Sequence, residues 1–112
     1  HYTGHRARLR ERFLNAPEAL PEYELLEILL FPARPMGDVK PLAKTLLAKF
    51  GSLAKVLKAP ARELAAVDGV NDAAVAALKA ALEVSARVLK DEVAGRPVIQ
   101  SWTALLDYCR LT

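Results

Sequence analysis

Leu64-Ala65-Ala66-Val67-Asp68-Gly69-Val70-Asn71-Asp72-Ala73-Ala74-Val75-Ala76-Ala77-Leu78 is the most informative stretch of this chain. It reads as a short helix, a tight turn and the start of a longer helix. Gly69 supplies the one residue without a Cβ, so the backbone can twist there as other residues cannot. Val70 is placed to plug between the two helices. Asn71 or Asp72 can accept a first-turn amide and so begin the second helix. The helix then runs to about Ala94, with Val75, Leu78, Leu82 and Leu89 on its inner seam. Lys79, Glu83, Arg87 and Asp91 follow at four-residue steps with alternating sign, the pattern of a solvated face whose charges pair with one another.

The residues on either side of this stretch are helical too. Ala and Leu supply 20 and 19 of the 112 residues, while Val and Ile together supply 11. That mixture favours helix, because β-branched side chains lose more rotamer freedom there. A first helix over 4–14 carries Leu9 and Phe13 on one face and Arg6, Arg8, Arg10 and Arg12 on its flanks. Pro21 opens a second helix to Phe31, apolar nearly all round and therefore central. Glu18, Glu22, Glu24 and Glu27 read as a solvated first turn. Pro-Ala-Arg-Pro-Met-Gly over 32–37 is a loop. Asp38 caps a third helix, where Val39, Leu42, Ala43, Leu46, Leu47 and Phe50 form one buried face and Gly51 closes the end. Ser52 caps a short helix to Lys58, and Pro60 starts another ending near Ala66. Beyond Gly95 the segment Arg96-Pro97-Val98-Ile99 reads as extended, with a helix from Ser101 to Arg110.

Composition excludes several classes. With 53% apolar residues the chain can bury a core and is not disordered. Cys109 is the single cysteine, so no intrachain disulfide forms and a reducing, cytoplasmic setting is expected. Its thiol reads as a half-buried apolar residue. No apolar run approaches membrane-spanning length. His1 and His5 are four apart, but no third ligand accompanies them, so no metal or other cofactor is expected. No catalytic constellation and no Gly-rich phosphate loop is present, and a non-enzymatic chain follows. The net charge of +3 hides segregation: residues 33–58 carry +5, whereas 15–32 carry −4. Segregated base is the footprint of a polyanion partner, although lysines on solvated helix faces are also commonplace.

The turn at 67–71 resembles the helix-hairpin-helix motif, whose hairpin usually reads Gly–apolar–Gly; Asn71 stands where the second Gly is usual. Helix, loop and helix over 21–50 repeat the layout in degenerate form, joined by Phe50-Gly51-Ser52-Leu53. The expected fold is therefore all-α. A five-helix tandem helix-hairpin-helix domain occupies 20–94, preceded by a basic helix and linker over 1–19 and followed by a tail over 95–112 that starts a further unit. The resemblance implies a sequence-independent grip on the DNA phosphate backbone through Gly69, Val70 and Asn71, because a helix N-terminus offers free amides to an anion. Lys40, Lys44, Lys55, Lys58, Arg6 and Arg10 are the cations expected to join it. Asp68 and Asp72 flank the turn and would repel a phosphate unless turned away. A turn of this pattern also serves simply to pack two helices.

Thr3-Gly4-His5-Arg6 with Leu9-Arg10-Glu11-Arg12-Phe13, Leu20-Pro21-Glu22-Tyr23-Glu24-Leu25-Leu26-Glu27 and Asp38-Val39-Lys40-Pro41-Leu42-Ala43 extend the likeness. Together they resemble the N-terminal region of the RadC family (UPF0758), bacterial proteins named for DNA repair. The resemblance implies a longer parent whose C-terminal MPN/JAB-type domain carries a His-x-His…Asp motif and zinc; that motif is absent here. The expected function is weak, non-specific DNA binding. The alternative is a protein-interaction or scaffold domain that positions or dimerises the C-terminal domain. Lysines ringing Gly69–Asp72 would favour the first. An exposed apolar patch with Trp102 or Tyr108 would favour the second.

Overall fold

The computed structural model describes residues 2–94 and 98–111. The described chain is all-helical: α1 (Tyr2–Asn15), a 3-10 turn (Pro17–Ala19), α2 (Glu22–Leu30), α3 (Lys40–Phe50), α4 (Leu53–Lys58), α5 (Ala61–Ala65), α6 (Asp72–Ala94) and α7 (Val98–Leu111). No strand occurs among the described residues. The chain forms two compact units, His1–Ala81 and Leu82–Thr112. The first therefore takes in α1 and its linker as well as the start of α6.

In the first unit α2 is central, as its apolar surface requires. It packs against α1, α3 and α4. Leu26 and Leu30 are fully enclosed, together with Leu9 from α1, Ala43 and Leu46 from α3, Val56 from α4, Leu64 from α5 and Ala74 and Leu78 from α6. The periodic face predicted for the third helix is the one that is buried. Its residues Leu42, Leu47 and Phe50 pack at the margin of the core.

Side chains from distant elements complete the helix ends. Ser52 Oγ accepts the Lys55 N–H at 3.2 Å, while Glu22 Oε1 reaches across from α2 to accept the Leu53 N–H at 2.7 Å. Asp38 Oδ1 accepts the Lys40 N–H at 2.9 Å. Gly51 closes α3 with its N–H on Leu47 O at 2.8 Å. Lys79 departs from the solvated stripe expected of it. Its Nζ donates to Leu57 O at 2.9 Å and Ala59 O at 2.8 Å, so it caps the C-terminal carbonyls of α4.

The glutamates also depart from expectation. Glu24 and Glu27 are buried, not solvated. Glu24 is paired with Arg12, and this hydrogen bond is the main cause that raises the Arg12 guanidinium above its ordinary value. The arginine therefore keeps its charge in the pair as pH rises through the usual arginine range. Glu27 is 0% exposed. Its Oε1 lies 3.1 Å from His5 Nε2, and Oε2 has no partner among the described residues. α1 carries His5, Arg6 and Arg12 to the same neighbour, which explains why a helix with only Leu9 fully enclosed packs firmly on α2.

In the second unit, Glu83 and Arg87 pair at 2.9 Å along α6. Helix α7 starts at Val98, so Val98 and Ile99 are helical where an extended segment was expected, and Ser101 lies inside the helix. Two β-branched residues cost a helix only tenths of a kcal/mol each, and a preceding Pro suits a helix start. Arg96 and Pro97 lie outside the described residues. Trp102 is 63% exposed, with Leu105, Leu106 and Tyr108 also open to solvent. Cys109 is exposed, against the half-buried position expected.

Candidate interaction site at the α5–α6 turn

The turn between α5 and α6 is built as its sequence requires. Gly69 has φ +93°, in the region that favours glycine. The Val70 N–H closes onto Val67 O at 3.1 Å, and half-buried Val70 packs against the core. Asn71 Oδ1 accepts the Ala74 N–H at 2.8 Å and so caps α6. The first-turn amides of Asp72 and Ala73 have no helical acceptor.

Two long-range bonds tie this turn to the 31–39 connection. Asn71 Nδ2 donates to Ala33 O at 3.0 Å. Arg34 Nη1 donates to Gly69 O. Arg6 holds the same connection from the other side. It is 8% exposed, and its guanidinium donates to Phe31 O at 3.2 Å, to Arg34 O and to Gly37 O at 2.9 Å. It also stacks 4.7 Å from the Phe31 ring centroid. Phe31 is the C-cap of α2, and its carbonyl also accepts the Arg34 N–H at 3.2 Å, so a buried cation there faces the negative end of the helix dipole. A chain of contacts thus runs Arg6, Arg34, Gly69.

This arrangement changes what several expected site residues can do. Arg6 is committed to three backbone carbonyls in the interior and is not presented to a phosphate. Asn71 uses both ends of its side-chain amide within the fold. Lys40 and Lys44 place their ammonium groups 5.7 and 5.0 Å from the Tyr23 ring centroid. Lys55 and Lys58 are exposed on α4, and Arg10 is exposed on α1.

An open cleft of about 250 Å³ adjoins Gly69. Arg34, Asp38, Val39, Pro41, Leu42 and Asp68 are among its lining residues, and none of Lys40, Lys44, Lys55 and Lys58 is. Sequence reasoning missed Arg34, because nothing local in Ala33-Arg34-Pro35 announces a partner at Gly69. Among the described residues, no group of three or more His, Cys, Asp or Glu could hold a metal ion. Among them, too, no helix is long and apolar enough to cross a membrane.

The UPF0758 N-terminal family model matches residues 3–76, nearly the whole of the first compact unit. The chain belongs to the UPF0758 family. It is similar to a UPF0758 protein of Rhodobacter capsulatus, 53% identical over 102 residues, which are 90% of this chain and 48% of the relative. It is also similar to the UPF0758 protein SPO0054 of Ruegeria pomeroyi, 54% identical over 110 residues, 96% of this chain and 49% of the relative. This UPF0758 chain thus spans about half the length of the curated relatives it matches. No solved structure matches it.

Proposed function

We propose that this chain is a non-catalytic protein-interaction module of a longer UPF0758 protein, positioning or dimerising the remainder. The observation that carries this reading is the charge around the α5–α6 turn. The cleft at Gly69 is lined by Asp38 and Asp68 with a single Arg34, and the four expected lysines are not part of its lining. Two carboxylates beside a helix N-terminus oppose a phosphate there. The exposed apolar side of α7, with Trp102 and Leu106, supports the same reading. Proposed with it is the tandem helix-hairpin-helix arrangement. Support comes from the packing of α2 against α3, the positive φ at Gly69 and the packed Val70. Zinc and an isopeptidase-type activity would then reside in the part of the longer relatives that this chain does not cover. A cytoplasmic location belongs to the same proposal.

DNA binding is the second reading, favoured by Lys40 and Lys44 gathered on Tyr23 with Lys55 and Lys58 exposed on α4. Fluorescence anisotropy with duplex, single-stranded and branched DNA at two salt concentrations separates the two, run beside light scattering across protein concentration. The interaction reading expects no binding tighter than about 10⁻⁴ M at physiological salt, the weak limit of non-specific contacts. Binding between about 10⁻⁶ and 10⁻⁴ M with a log–log salt slope near −3 would replace it with the DNA reading.

A further inference from the structure

The cleft beside Gly69 is lined by groups of different chemistry. Pro41 and Leu42 supply apolar surface, and Asp38 and Asp68 supply carboxylates. Asp38 uses Oδ1 to cap Lys40, and its other oxygen is bound to nothing within the described residues. Asp68 has no hydrogen-bond or ion-pair partner among the described residues. Arg34 also lines the cleft, but its guanidinium donates to Gly69 O and it makes no ion pair with either carboxylate among the described residues, so one cation stands against two carboxylates. The walls are held in place by the Arg6 and Asn71 bonds to the 31–39 connection and, at the cleft itself, by the Arg34 bond to the turn. The result is a preformed cleft with an excess of negative charge beside apolar surface.

A phosphate does not suit that charge, and a purely apolar side chain would leave both carboxylates facing it. A guanidinium suits both parts. It is planar, weakly hydrated and able to lie on apolar surface while its N–H groups reach carboxylates on either side. Its aliphatic stem can cover Pro41 and Leu42. A preformed cleft also loses little freedom on binding.

We propose that this cleft is the docking site for an arginine side chain of a partner protein, received on Pro41 and Leu42 and held by Asp38 and Asp68. The inference rests on the interaction-module reading and names the chemistry of its partner. It is tested on the ¹⁵N-labelled full chain by NMR titration with N-acetylarginine methylamide. N-acetylglutamate methylamide and inorganic phosphate serve as parallel probes. The arginine probe is expected to shift the amides of 38–45 and 67–70 progressively, and the glutamate probe is not. Asp68→Asn is expected to weaken that binding about two- to fivefold, the size of one solvent-accessible ion pair. Asp38→Asn, which retains a capping oxygen, is expected to do the same. Absence of localised shifts at about 50 mM arginine probe, a threshold for even millimolar affinity, overturns the proposal. So do equal shifts from the glutamate probe. A chain that self-associates but ignores arginine overturns this inference alone. Phosphate shifting the same amides overturns it together with the interaction reading.

Discussion

Replacing Gly69 by Ala tests the α5–α6 turn directly. At φ +93° a residue with a Cβ pays for a left-handed backbone, about 1–2 kcal/mol. The new Cβ would also lie 3.3 Å from Arg34 Nη1 and 3.6 and 3.8 Å from the Leu42 methyls. The first distance is tight. Arg34 can retreat only by weakening its bond to Gly69 O, a further loss of about 0.5–1.5 kcal/mol. Against this, Ala restricts the unfolded chain and returns about 0.4–1 kcal/mol. The net expectation is a destabilisation of about 0.5–3 kcal/mol, with a fall in melting temperature of about 4–8 °C per kcal/mol for a domain of this size. Gly37 provides the control, since it has φ +86° but no atom within 4 Å of the place a Cβ would take. Gly37→Ala should therefore cost only the backbone part, less than Gly69→Ala by the loss at Arg34. Urea and thermal unfolding followed by circular dichroism measure both. If Gly69→Ala costs no more than Gly37→Ala, Arg34 does not constrain the turn; if it costs under about 0.5 kcal/mol, the left-handed geometry itself is wrong.

Leu46→Ala and Leu78→Ala each remove a fully enclosed side chain, and each should cost about 2–5 kcal/mol in urea unfolding. A loss below about 1 kcal/mol at both would contradict the packing of α3 and α6. Arg6→Met retains bulk but removes three side-chain hydrogen bonds, leaving Phe31 O with the Arg34 N–H alone, so about 2–4 kcal/mol should be lost, with faster amide exchange in 31–37 as the local signature. Glu27→Met removes a fully buried carboxylate with one unpartnered oxygen. Its unfolding free energy should stay within about 1 kcal/mol of the parent or rise, and a loss above about 3 kcal/mol would show that the His5 contact outweighs desolvation.

Local chemistry made much of the fold legible. The spans of α2 to α6 follow from apolar spacing and from stop and start residues a few positions away: Pro21, Gly51, Ser52 and Asn71. Helix bonds link residues four apart, so a short window of sequence contains most of the information. The left-handed backbone at Gly69 was legible for the same reason, because a glycine between two helical patterns at a chain reversal has few other uses. Where local signals conflicted, as at Val98 and Ile99, β-branching suggested extension and the helix prevailed.

The site depended on contacts that no window holds. Arg6 meets carbonyls 25 and 31 residues away, Asn71 bonds a carbonyl 38 residues away, and Arg34 reaches Gly69 across 35. Nothing in the composition of a basic helix distinguishes Arg6, which is enclosed, from Arg10, which faces water. Likewise Glu27 and Lys79 look like solvated charges until α1 and α4 are packed beside them. A charged side chain takes its role from whichever donor, acceptor or low-dielectric surface folding brings against it. Sequence alone determined that a turn would form at 67–71 and that helices would flank it. Only the tertiary structure decided which charges surround that turn, because their positions are set by the crossing of α1, α2 and α3 rather than by their order along the chain.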